Sequence, residues 1–127
     1  MVEKNKSQSI EFQHRDGYME AKFLKPTVID IELAQYMITG RKEFSNYQAT
    51  AILIDGRNVK GVTKEARDHL GQDTGFEFII AAAILTGSPL SALILNFFVK
   101  VNIRKSKKVP VRLFTDREKA VKWLKKQ

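Results

Sequence analysis

The chain has 127 residues, 43% hydrophobic and 28% charged, with no cysteine and a net charge of +8. A single domain of this length buries a sizeable core. The missing cysteines exclude disulfides, zinc–thiolate centres and thiol nucleophiles, and they fit a reducing compartment. Met1 to Ser9 is polar and no apolar run reaches the ~18 residues of a membrane span. The chain therefore reads as soluble and cytoplasmic, one domain over residues 1–127 with 1–8 disordered or frayed.

Ser9 to His14 alternates, with Ile10, Phe12 and His14 on one side, and Tyr18 to Leu24 alternates with Met19, Ala21 and Phe23 together. A period of two marks strands. Asp16-Gly17 between them predicts an antiparallel hairpin, because glycine tolerates the positive φ of a tight turn. Lys25-Pro26-Thr27 breaks the pattern. A helix follows to about Phe44, with Asp30 as N-cap and Ile31, Ala34, Met37 and Ile38 as its apolar stripe. Gly40 inside it costs about 1 kcal/mol against alanine.

Ala49 to Ile54 is a short continuous apolar run, the pattern of a strand buried on both faces. Asp55 to Asn58 then turns the chain, and Thr63 caps a short helix from Lys64 to Leu70, stopped by Gly71. Phe76 to Leu85 ends as a second buried strand, while Asp73 to Phe78 fits a helical turn as well as a strand. Ser88-Pro89 opens a long helix to about Val101, and Val109 to Phe114 is the last strand. Thr115-Asp116-Arg117-Glu118 has the spacing of a capping box with Thr115 as N-cap. The final helix runs to about Lys126 with Ala120, Val121, Trp123 and Leu124 as its apolar side. The order β-β-α-β-α-β-α-β-α predicts an α/β domain. Its mixed sheet is largely parallel with right-handed crossovers, and the hairpin adds an antiparallel edge strand.

Three features bear on function. First, Lys100 to the end holds eleven Lys and Arg against Asp116 and Glu118, a net +9, and leaves the rest at −1. Such asymmetry marks either an anionic partner or a solvated rim. Arg104, Lys105, Lys107 and Lys108 form its densest patch. Second, the helix from Pro89 is apolar all round: Leu90, Leu93, Ile94, Phe97, Phe98 and Val101 surround its axis. A helix of this kind needs cover on more than one side. A second subunit would supply it, making this the predicted interaction helix of a homodimer. Third, Asp55 and Thr86-Gly87-Ser88 end two buried strands, where open α/β sheets place their sites. Plain turn and helix capping explains the same residues. His14 and His69 share no metal-ligand spacing, and no phosphate loop or nucleophile elbow is present. Catalytic residues, cofactor and metal are therefore all expected to be absent.

The element order, Ala51-Ile52-Leu53-Ile54-Asp55, Ala83 to Pro89 with Asn96-Phe97-Phe98, and Pro110 to Asp116 with Trp123-Leu124 together carry a resemblance. Over residues 8–126 the chain resembles the SpoIIAA-like group, in particular small bacterial members. That group includes the STAS domains and is similar in fold to the lipid-binding Sec14 (CRAL-TRIO) domains. The resemblance implies a SpoIIAA-like βα superhelix. STAS anti-sigma-factor antagonists carry a phosphorylatable serine where the helix after the Asp-ended strand begins. Glu65 stands at that position here and Thr63 is the nearest hydroxyl, so serine phosphorylation does not carry over. Glu65 either mimics a permanent phosphate or simply favours the helix dipole. Asp55, Thr63, Glu65, Thr86 and Ser88 thus form the predicted strand-end site.

Two functional readings follow. In the first the chain is a non-enzymatic regulatory module that binds proteins, itself foremost. In the second it binds a lipid or apolar small ligand in the manner of the Sec14 domains, its basic rim meeting anionic headgroups. Nucleic acid is disfavoured, because no reader motif accompanies the charge.

Overall fold

The computed structural model describes residues 9–89, 92–93 and 109–127. β1 (Ile10–Arg15) and β2 (Tyr18–Phe23) form the expected antiparallel hairpin, with Ile10 opposite Phe23 and Arg15 opposite Tyr18. Gly17 turns it at φ +84°, a conformation that a Cβ would strain.

α1 (Ile31–Phe44) starts where capping chemistry places it, the Asp30 carboxylate accepting from the Leu33 N–H at 2.8 Å. Its buried face is Leu33, Ala34, Ile38 and Arg41, while Ile31 and Met37 are half-buried. The face is thus rotated slightly from the predicted stripe and carries a cation. Gly40 has a packing reason: a Cβ there would lie 3.0 Å from the Phe12 ring. Asp30→Ala should lower the unfolding free energy by about 1 kcal/mol. Urea titration checks this, and an unmoved midpoint would show that water caps the helix as well as Asp30 does.

β4 (Thr50–Asp55), α2 (Lys64–Leu70) and β6 (Ile79–Leu85) follow as predicted, with Thr63 capping α2 through the Ala66 N–H at 3.2 Å. The ambiguous stretch before β6 contains a 3-10 turn at Asp73–Gly75. Two short strands were not expected. β3 (Thr27–Ile29) and β5 (Val59–Val62) pair in parallel as a separate two-stranded sheet. With three and four residues they are too short to show a period, and among the described residues each pairs only with the other, across the α1–β4 unit.

The main sheet has the order β1-β2-β4-β6-β7, the last strand being β7 (Val111–Phe114), and every pairing after the hairpin is parallel. α1 and α2 cover one face over Ile10, Met19, Ala21, Phe23, Ile52 and Ile84. α3 (Arg117–Lys125) covers the other over Ala51, Leu53, Ala81, Ala83 and Leu85. This two-sided burial explains why β4 and β6 read as continuous apolar runs. One cap needs correcting. Asp116, not Thr115, is the N-cap of α3, accepting from the Glu118 N–H at 2.9 Å. Both residues suit a cap, and the extended backbone at Asp116 decides between them. Pro89, Ala92 and Leu93 are helical, and Ala92 N–H donates to the Ser88 carbonyl at 2.9 Å. The helix therefore opens at the predicted place. Leu90, Ile94, Phe97, Phe98 and Val101 lie outside the described residues, as do Arg104, Lys105, Lys107 and Lys108.

Candidate functional site

The parallel strands β2, β4 and β6 end side by side, with Lys22, Asp55 and Leu85 in register. Lys22 and Asp55 share the α3 side with Glu20, and charges gather there. Asp55 is buried, and Arg57 grips it with two hydrogen bonds, Nε to Oδ1 at 2.9 Å and Nη2 to Oδ2 at 2.7 Å. Burial alone would raise the Asp55 pKa. The Arg57 guanidinium and backbone N–H, with the charge of Lys22, outweigh it and hold the carboxyl below its ordinary range. Gly87 leaves room for the arginine stem, since a Cβ there would meet Arg57 Cγ at 2.7 Å.

Glu20 is 3% exposed and lies between Arg15 and Arg117, with Arg15 Nε donating at 3.0 Å and Arg117 donating to the same oxygen. Burial pushes its pKa up, and the two guanidinium groups, Arg117 first, bring it below the usual value. Both buried carboxylates are thus anchored as anions. A general acid needs a raised pKa, which neither carboxyl has.

Of the predicted strand-end residues, Asp55 ends β4 and Thr86 directly follows the neighbouring β6. Thr86 is buried and its N–H donates to the Phe114 carbonyl at 2.9 Å. Thr63 uses its hydroxyl on the α2 cap, and Glu65 is exposed in that helix's first turn. Ser88 is exposed just beyond Thr86. A hollow of about 540 Å³ opens past β6 and β7, where Thr86 meets Leu93, Phe114, Asp116 and Lys119. It joins one residue of the strand-end set to one of the interaction helix. His14 stacks on Phe44 with ring centroids 4.3 Å apart, and His69 sits in the last turn of α2. The two do not converge.

Two features were not anticipated. The first is at the opposite end of the sheet. Tyr47, Phe78 and Ile80 are 55%, 42% and 46% exposed. Tyr47 and Phe78 meet edge-on at 5.9 Å, and both have left-handed backbone, φ +58° and +64°, beside Asn46 at +54°. Such backbone is uncommon for aromatic residues and clusters where surroundings enforce it. No sequence signal announces it. Arg41 ties down the loop that leads into Phe78, donating to the carbonyls of Gly75 and Glu77 at 2.8 and 2.9 Å. Lys42 adds a 2.6 Å ion pair to the Glu77 side chain.

The second is a cavity of about 90 Å³ between the sheet and α1, lined by Ile10, Ile52, Ile84, Val111 and other aliphatic groups and by Arg41. Ala21 and Ala82 lie in its lining, and side chains this short leave it unfilled. Arg41 was foreseeable, since it follows Ala34 and Ile38 at helical spacing.

Among curated proteins nothing matches the chain. Among solved structures it is similar to an uncharacterised protein of the DUF3478 family with a SpoIIAA-like fold from Shewanella loihica PV-4. Identity is 19%, the TM-score is 0.63, and 91% of each chain is covered. The fold is SpoIIAA-like, as the resemblance implied. Residues 12–127 match the model of a domain of unknown function, DUF7793, and the chain belongs to that family.

Proposed function

We propose that the chain is a non-enzymatic binding module that acts through protein contacts, its first partner a second copy of itself. The exposed Tyr47–Phe78–Ile80 cluster carries this reading. Large apolar groups held outward on strained backbone mark an interaction surface. Lys42 and Glu77 at its margin supply both signs of charge, which suits a patch that faces its own copy across a two-fold axis. The SpoIIAA-like fold supports a binding role, and the lowered pKa values of Glu20 and Asp55 suit ion pairing better than general-acid work.

Phe78→Gly tests it. Glycine relieves a left-handed penalty of roughly 1–2 kcal/mol while deleting the exposed ring. The variant should sediment as a monomer at micromolar concentration, where the wild type is a dimer, with a melting temperature unchanged or higher. A wild type that is monomeric at every concentration overturns the self-association. A variant destabilised by more than about 1 kcal/mol would assign Phe78 to packing instead.

A further inference from the structure

We propose that the outer edge of β1 docks a second copy of the chain, the two β1 strands pairing antiparallel about Gln13 so that the two sheets join. β1 is one edge of the main sheet and β7 the other. The β7 edge is blunted, since it has four residues and follows Pro110. β1 has six residues, pairs with β2 in unbroken register, and contains neither proline nor lysine. Short length, proline, lysine and bulges are the usual guards of a free edge, and β1 lacks all of them. Its outward groups follow from the ladder. The Leu24 N–H donates to the Ser9 carbonyl at 2.9 Å, and hydrogen-bonded pairs alternate along an antiparallel ladder. Glu11, Gln13 and Arg15 therefore turn their backbone groups toward β2. Ile10, Phe12 and His14 turn theirs outward, and among the described residues no other strand pairs with them.

Charge selects both the partner and the register. Glu11 and Arg15 are exposed and share the sheet face opposite α1. Arg15 gives its Nε to Glu20, and its terminal nitrogens make no hydrogen bond among the described residues. A pairing centred on Glu11 or on Arg15 would oppose like charges. One centred on Phe12 or His14 would set both charges against neutral residues. Centring on Gln13 places Glu11 opposite Arg15 of the second copy, and Arg15 opposite its Glu11. These fall at non-hydrogen-bonded positions, where side chains lie closest, and opposite charges so placed stabilise a sheet. Phe12 and His14 of the two copies then exchange backbone hydrogen bonds on either side of the axis. The edge is its own complement, as a two-fold contact requires. A strand of six residues spans only about 20 Å, so the contact is small and weak. It is separate from the Tyr47–Phe78 surface and does not rest on it.

The chain has no cysteine, so disulfide trapping on the full chain tests the proposal. Across the axis the two Gln13 Cα atoms would stand about 4.5 Å apart, within disulfide reach. The two Glu11 Cα atoms would be offset by roughly 14 Å along the strands, well beyond it. Under mild oxidation Gln13→Cys should therefore form a linked dimer at least about tenfold faster than Glu11→Cys. Adding Glu11→Lys to Gln13→Cys opposes like charges at both pairs, and should slow the cross-link about tenfold. Glu65→Lys, the same change of charge at an exposed position on α2, should leave the rate within about twofold of Gln13→Cys alone. Equal rates for Gln13→Cys and Glu11→Cys, or equal slowing by Glu11→Lys and Glu65→Lys, would each overturn the pairing.

Discussion

Replacing Glu20 by Ala should lower the unfolding free energy by about 3 kcal/mol and flatten the acid side of the stability curve. Removing one partner of a buried ion cluster typically costs 3–5 kcal/mol. The low end applies here because Arg15 and Arg117 are half-exposed and return to water. The pH dependence follows from the direction of the shift. The folded Glu20 pKa lies below its ordinary 4.5. Its contribution is therefore fully present above that value and lost as pH falls through the folded pKa. Asp55 acts in the same sense, its folded pKa lying below 3.8. Wild type should thus unfold progressively on acidification below about pH 4, and Glu20→Ala should lose less over the same range. Urea midpoints of the two proteins that run parallel from neutral pH to about pH 3 would show that Glu20 titrates alike in both states.

Leu53→Ala should cost about 3–4 kcal/mol, within the range for buried leucines. Leu53 is fully buried at the centre of β4, on the face that α3 covers. Its neighbours there, Ala51, Ala81, Ala83 and Ala120, are all small. Short side chains cannot swing into the space it would vacate, so the cavity stays open and the loss is near the upper half of the range. Leu124 sits in the same cluster and should couple to it. A loss under about 1 kcal/mol on chemical denaturation would mean that α3 shifts inward to refill the site.

Local chemistry made much of the fold legible. Asp30 and Thr63 are caps whose acceptor reach spans only three residues, and Asp16-Gly17 is a turn that works within its own hairpin. The continuous runs of β4 and β6 announced a sheet covered on both faces. Features whose partners lie far along the chain stayed hidden. β3 and β5 exist only through each other. The choice of Asp116 over Thr115 rests on backbone angles that composition does not report. The site divides likewise: Asp55 was readable as a strand end, whereas its Arg57 clamp and the Glu20 pairing with Arg117 depend on the folded sheet. Tyr47 and Phe78 run against local preference, since aromatic residues avoid positive φ. Conflicts of this kind between local propensity and global structure tend to sit at functional positions.

The sheet order also sets how the molecule assembles in time. β1 and β2 are joined by a tight turn, so their pairing closes a loop of a few residues and proceeds on the microsecond scale of hairpins. Each later neighbour must wait for a whole intervening helix to be gathered in, and loop-closure entropy is spent before the ladder returns anything. The hairpin is therefore the natural first template, exposing the β2 edge on which β4 docks. Until then the apolar strands β4 and β6 are unshielded, and the nascent chain is most vulnerable to self-association in that interval.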